Sequence, residues 1–298
     1  MNTPPIHPLV SICIPTYNGA HYLQEALDSI ANQTYKNLEV VISDDASTDS
    51  TLDIVADFKN KMDVPIGIYH HTPNGIASNW NNTLEKATGK YIKFLFQDDV
   101  LHDNCIARMV DVLELDENCT LVTCKRAIIS KKSNRFTQGW IANFKDLQVN
   151  LNMSDASVTI IKGKELLRAP FFKKKPINII GEPTAIMFRK DIIAEIGYFD
   201  ENMFQLVDYE FCLRMFKKYN IGFIKEKLVS FRLHETQASF LNNKENINDK
   251  EIYYNLLYKD YFWWLHKNFK WQLLKKHHWS FQLYRFLKYE LFLKKVKE

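Results

Sequence analysis

Short apolar runs that end in polar or acidic loops, each followed by apolar residues at helical spacing, recur along the first hundred residues. Leu9-Val10-Ser11-Ile12-Cys13-Ile14 reads as a strand that stops at Pro15-Thr16-Tyr17-Asn18-Gly19, and the segment from Tyr22 to Ile30 then shows the period of one helix face. Glu39 to Ser43 is β-branched and runs into Asp44-Asp45-Ala46-Ser47-Thr48-Asp49, followed by a helix through Leu52, Val55 and Phe58. Tyr91 to Phe96 is a third apolar run, closed by Gln97-Asp98-Asp99-Val100. Strand, polar loop and helix in alternation predict an α/β fold whose strands are covered by helices, with ligands at the carboxyl ends of the strands.

Two adjacent carboxylates at a strand's carboxyl end offer hard oxygen ligands to Mg²⁺ or Mn²⁺, ions that usually share their coordination with substrate phosphates. A solvated Asp-Asp turn capping the next helix is the plainer alternative. No G-x-G-x-x-G follows a strand and no G-x-x-x-x-G-K-[ST] is present, so a phosphate bound here has no glycine-rich cradle and falls to a metal. The first acidic loop is then placed to read a base or ribose, and the second to hold the ion.

Pro15-Thr16-Tyr17-Asn18, Asp44 to Asp49, Asn74-Gly75 followed by Asn81, Ala87 to Ile92 and Gln97-Asp98-Asp99, in this order, resemble the signature of family 2 glycosyltransferases. The resemblance runs from about residue 8 to 103 and resumes at about 181 to 239. It implies the GT-A fold, a Rossmann-like mixed sheet flanked by helices, and a metal-dependent transfer from a nucleotide sugar. By the resemblance, Pro15, Thr16, Tyr17, Asn18, Asp45, Gly75, Asn81 and Asp98 are donor-binding, with Asp98 on the ribose or sugar. Asp99 is the metal ligand, and His234, after the last sheet strand, is a second one that favours Mn²⁺ over Mg²⁺. Asp208, in Leu206-Val207-Asp208-Tyr209-Glu210, takes the position of the general base; the alternative is a helix N-terminal carboxylate favoured by the dipole. Arg232 is a further cation for the phosphates. Two positions depart from the pattern: Phe96 stands where the family often has an Asp, and Trp80 where it often has an Arg, so a positive charge near the diphosphate must come from elsewhere.

Glu182 and Trp140 are acceptor-side candidates, one as a hydrogen-bonding carboxylate and the other as a flat apolar face for a sugar ring; a turn residue and a core residue are the alternatives. One base opposite the leaving group implies single displacement with inversion. The expected donor is a UDP-hexose or UDP-N-acetylhexosamine and the expected acceptor a glycan or lipid-linked saccharide of a bacterial-type surface polysaccharide. A sugar-nucleotide pyrophosphorylase is disfavoured because Pro15-Thr16-Tyr17-Asn18 stands where its glycine-rich loop would be. A non-catalytic interaction protein is disfavoured by the intact acids.

Composition changes the picture mainly at the C-terminus. The 298 residues, 46% hydrophobic and 25% charged, suit one large α/β domain with additions. No run approaches the roughly 18 consecutive apolar residues of a membrane span, the N-terminal residues lack a signal-peptide pattern, and five cysteines without a C-x-x-C fit reduced thiols in the cytoplasm. A polar stretch at Asn242 to Asn246 predicts a boundary between a catalytic domain, 1–240, and a helical extension, 241–298. Residues 251–298 hold ten Lys or Arg against four Asp or Glu, while the whole chain is only +4. Four of six tryptophans, Trp263, Trp264, Trp271 and Trp279, lie there too. Cationic, aromatic-flanked helices predict peripheral contact with an anionic membrane on its cytoplasmic face; packing on the catalytic domain or a homodimer is the alternative. No nucleic-acid reader module accompanies the basic tail.

Overall fold

The computed structural model describes residues 7–131, 134–151, 153, 156–173, 178–237, 249–284 and 286–287. Strands β1 (Val10–Thr16), β2 (Leu38–Asp44), β3 (Ile66–His70) and β4 (Tyr91–Phe94) alternate with helices α1 (Ala20–Ala31), α2 (Thr51–Lys61) and α3 (Ile76–Lys86). After them come β5 (Val100–Leu101), α4 (Cys105–Leu115), β6 (Cys119–Ile129), α5 (Arg135–Phe144), β7 (Val158–Lys162) and α6 (Gly163–Arg168). The chain continues through β8 (Ile186–Arg189), α7 (Ile193–Ile196), α8 (Val207–Phe216) and β9 (Asn220–Arg232) to α9 (Lys250–Leu256) and α10 (Lys267–His277).

All nine strands form one sheet in the order β3-β2-β1-β4-β8-β6-β9-β5, with β7 also paired to β9. The first four strands are mutually parallel, and β8 enters antiparallel between β4 and β6. The sheet is therefore mixed. This topology collects the carboxyl ends of β1, β2, β4, β6 and β9 and the start of β8 on one edge.

Side chains alternate across each strand, as the pleat requires. Ile12, Ile14, Val40, Ile42, Tyr91 and Leu95 join a core under α1, α2 and α4, whereas Cys13, Val41, Ile92 and Phe94 join a second core under α3 and α8. In α1, Leu23, Ala26, Leu27 and Ile30 lie on the buried face. In α8, Leu213 and Phe216 are fully buried, as their spacing predicts. All five cysteines are free and buried.

The C-terminal segment is partly packed. Tyr253, Leu257, Tyr261, Leu265, Phe269 and Leu273 are buried in the core that contains Phe211 and Phe216. The predicted domain boundary at 240/241 and the polar stretch at 242–246 lie outside the described residues.

Candidate active site

Two loops after β1 and β2 are laced into one unit. Thr16 Oγ1 donates to Asp44 Oδ1 at 2.8 Å, Ser47 N and Oγ donate to the two oxygens of Asp44, and Asp45 N donates to Thr16 O. Asn18 N donates to Ser47 Oγ while Asn18 Oδ1 accepts from Thr48 N. Asn18 and Ala46 have φ of 45° and 60°, left-handed values that asparagine tolerates better than alanine.

The loop after β4 is clasped to the same unit from the other side. Tyr17 N donates to Gln97 Oε1 at 2.9 Å and Gln97 Nε2 donates to Tyr17 O at 3.0 Å. A Cβ on Gly19 would lie 2.2 Å from Gln97 Oε1, so a larger residue there would push the Gln97 amide out of this clasp. Asp45 thus stands on the same rim as Asp98.

Asp45 is half-buried. Its Oδ1 is 2.7 Å from His71 Nδ1, and His71 Nε2 is 3.2 Å from Ser78 Oγ. Tyr17, Asn18 and Gly75 are exposed at this rim, whereas Pro15 and Thr16 are enclosed within β1. Asn81 is buried, and its amide is spent on another loop: Nδ2 donates to Phe199 O and Glu201 Oε1, and Oδ1 accepts from Phe199 N. These three expected donor-binding residues therefore frame the site, with their side chains turned into the protein.

The adjacent carboxylates Asp98 and Asp99 part company. Asp98 Oδ2 lies 2.8 Å from His234 Nε2, and His234 Nδ1 lies 2.8 Å from Thr236 Oγ1. Asp99 is 1% exposed, and its Oδ1 accepts from Arg232 N at 2.9 Å. Burial, followed by the Asp98 charge, pushes the Asp99 carboxyl well above the usual range. The imidazole expected to share a cation with Asp99 is thus opposed to Asp98.

Arg232 does not offer a free charge. Its Nε donates to Asp98 O, its Nη2 pairs with Glu25 at 2.6 Å, and its guanidinium lies over the Tyr22 ring. It fastens the Asp98-Asp99 turn to α1. Lys131 Nζ sits 5.4 Å from the centroid of the same Tyr22 ring, and that ring is 5.2 Å from His234.

Lys93, a lysine inside an apolar strand, is fully buried; its ammonium donates to Phe94 O and Thr184 O. Burial lowers its pKa, and the charge of Asp99 is among the groups opposing that. Thr184 Oγ1 in turn accepts from Phe96 N. These bonds tie the entrance of β8 to the end of β4 and carry Glu182 to the rim.

Glu182 pairs with the buried Arg126 at 2.6 Å. Arg126 was also missed, because nothing in Thr123-Cys124-Lys125-Arg126 marks it as inward-facing. Its guanidinium lies 5.5 Å from the centroids of both Trp140 and Phe231, two rings stacked 5.5 Å apart at 13°. Trp140 is half-buried as part of this stack. Asp208 lies in the first turn of α8, and its Oδ1 accepts from Tyr209 N at 2.7 Å. Desolvation raises the Asp208 pKa to about 7; Glu182 adds to the rise and Arg126 opposes it. Thr184, two residues after Glu182, accepts from Phe96 N, so the Glu182 loop lies against the segment that leads into the acidic turn.

The donor set at Asp98 and His234 fits a divalent cation that borrows its remaining ligands. Carboxylate oxygen and imidazole nitrogen are 2.8 Å apart, both partly accessible, and Thr236 is placed to fix the ring's orientation. Among the described residues no group of three or more His, Cys, Asp or Glu side chains is assembled to hold an ion. One or two protein ligands with substrate phosphates and water is the usual arrangement for Mg²⁺.

Comparison with known proteins bears on this geometry. Residues 11–197 match the model of glycosyl transferase family 2. An uncharacterized glycosyltransferase of Rickettsia prowazekii is 31% identical over 247 residues, which cover 81% of this chain and 70% of that protein. Three further Rickettsia relatives are longer, and the chain spans about a third of their length. Among solved structures, Staphylococcus aureus TarS 1-349 in complex with UDP-GlcNAc superposes with a TM-score of 0.62 at 20% identity, covering 91% of this chain and 73% of that one. The mannosyltransferase PcManGT of Pyrobaculum calidifontis, in complex with GDP-Man and Mn²⁺, gives 0.57 at 18% identity over 97% and 81%. The mixed sheet is that of the GT-A fold, and the chain belongs to glycosyl transferase family 2.

Proposed function

We propose that the protein is an inverting, metal-dependent glycosyltransferase. It moves a hexose or N-acetylhexosamine from a UDP-sugar to a hydroxyl of a glycan or lipid-linked acceptor, in assembly of a bacterial-type surface polysaccharide. The observation that carries this reading is the Asp98–His234 pair on the rim shared with Asp45. Nucleotide sugars in the TarS and PcManGT complexes support a donor of this class.

In this reading Tyr17, Asn18 and Asp45 receive the base and ribose, and His71 holds the Asp45 carboxylate in one orientation. Asp98 and His234 would hold Mn²⁺ or Mg²⁺, with Asp99 behind them fixing the turn through Arg232. What the cation supplies when bound is neutralisation of the charge on the leaving diphosphate. Lys131, above Tyr22, is the cation placed to meet that diphosphate where the family's usual arginine is Trp80. Asp208 takes the proton of the acceptor hydroxyl as its oxygen attacks the anomeric carbon. The bond from that carbon to the diphosphate oxygen breaks, and the nucleoside diphosphate departs from the opposite face. A carboxylate with its pKa near 7 is matched to this task at neutral pH. Glu182 and Trp140 face the acceptor side.

Incubating the full chain with UDP-N-acetylglucosamine, UDP-glucose or GDP-mannose and Mn²⁺, and measuring nucleoside diphosphate, tests the reading. Release from one UDP-sugar that stops with EDTA is expected. Release of pyrophosphate, or turnover undiminished by EDTA, would overturn it.

A further inference from the structure

Two sets of residues recur every fourth position through the C-terminal segment, and they meet opposite environments. Tyr253, Leu257, Tyr261, Leu265, Phe269 and Leu273 are at most 5% exposed and complete the core around α8. Trp263, Lys267, Trp271, Lys275, Trp279, Leu283 and Leu287 are all exposed. The three indoles are 76%, 51% and 69% accessible, values far from those of packed tryptophan.

Trp263 and Trp271 are each flanked by a lysine of α10. Lys270 Nζ donates to Trp263 O at 2.9 Å and lies 5.8 Å from the Trp263 ring. Lys275 Nζ lies 5.4 Å from the Trp271 ring, which meets Phe281 edge-on at 5.3 Å. Ammonium groups beside indole faces present an apolar surface flanked by positive charge. No Asp or Glu stands between Asp260 and Glu290, so this stretch of sequence carries Lys267, Lys270 and Lys275 with no acidic residue among them.

We infer that this face docks on an anionic lipid bilayer, with Trp263, Trp271 and Trp279 at headgroup depth and the lysines on the phosphates. Indole belongs at that depth because one end is apolar and the other hydrogen-bonds, and lysine stems reach along apolar surface to a charged layer. A second copy of the chain is the poorer partner, since it would bring the same positive charge to the face. No helix of the described residues is long and apolar enough to cross a membrane, so the contact is one of lying on the surface. The inference does not depend on the transfer reaction: binding is read without substrate.

The full chain is mixed with sedimentable phosphatidylcholine vesicles, with and without phosphatidylglycerol, and bound protein and tryptophan emission are measured. Binding confined to the anionic vesicles, weakened by salt and accompanied by a blue shift, is expected. Lys270→Glu with Lys275→Glu should weaken it by at least roughly 25-fold, about fivefold for each charge removed from the surface. Trp263→Ser, Trp271→Ser and Trp279→Ser together should abolish the blue shift with an unchanged circular dichroism spectrum. Equal binding to both vesicle types, or none to either, overturns the inference. So does self-association by light scattering that disappears in the tryptophan variant, which would assign the face to a second copy.

Discussion

Trp80 and Phe96 pack against each other with ring centroids 5.0 Å apart, and they are the two positions at which the chain departs from the charged residues its resemblance implies. Trp80 also meets Phe94 at 6.1 Å and Phe199 at 5.2 Å. The two departures therefore meet: where the resemblance implies an Asp and an Arg, this chain has an aromatic cluster at the end of β4. Aromatic pairs of this kind are worth about 0.5 to 1.5 kcal/mol beyond area burial. A double-mutant cycle on Trp80→Ala and Phe96→Ala by urea denaturation should return a coupling in that range. Strict additivity would deny the pairing.

Removal of the Asp208 carboxylate should cost turnover rather than the fold. Asp208→Asn is expected to lower kcat by about 10²- to 10⁴-fold, and wild-type kcat should fall as pH drops below about 7. Stability has its own sign. A carboxyl whose folded pKa is raised contributes stability present below its unfolded value and lost as pH rises through about 7. The Tm of Asp208→Asn relative to wild type should therefore increase between about pH 5 and about pH 8. Thermal melts across that range check it.

Glu182 and Arg126 should move the same limb in opposite directions. Glu182→Gln removes a negative charge that raises the Asp208 pKa, so the acidic limb of kcat shifts to lower pH. Arg126→Met removes the opposing positive charge and shifts it upward. An unmoved limb in both variants would place the pair's role in packing alone.

Lys131 lies over the Tyr22 ring, which in turn meets His234. If its ammonium meets the diphosphate, Lys131→Ala raises the donor KM by roughly tenfold, the scale of one hydrogen bond to a charged group. Acceptor KM should be unchanged. Steady-state kinetics at low salt would reveal an effect on the acceptor instead, and with it a different role.

The sheet was legible because its buried strands are short apolar runs and its loops are acidic. Leu213 and Phe216 likewise fall inward by simple helical period. The division of labour between Asp98 and Asp99 was not legible. β4 ends at Phe94, and the turn closed by Asp99 N donating to Phe96 O decides which carboxylate faces His234. Arg232 shows a second limit, since a cation in the expected place is consumed by Glu25, 207 residues away in sequence. Lys93 carried a signal, a lysine amid Ile92, Phe94 and Leu95, that an alternation test would have flagged. In the C-terminal segment the fourfold spacing from Tyr253 to Leu273 was equally visible in the letters.

Mn²⁺ titration of nucleoside diphosphate release in Asp98→Ala, His234→Ala and Asp99→Asn asks whether Asp98 and His234, rather than Asp99, hold the ion. Loss of either ligand should raise the Mn²⁺ concentration needed for half-maximal activity by at least roughly tenfold. Asp99→Asn, which keeps an oxygen to accept from Arg232 N, should stay close to wild type. Wild-type Mn²⁺ dependence in Asp98→Ala, with loss of dependence only in Asp99→Asn, would assign the ion to Asp99 instead.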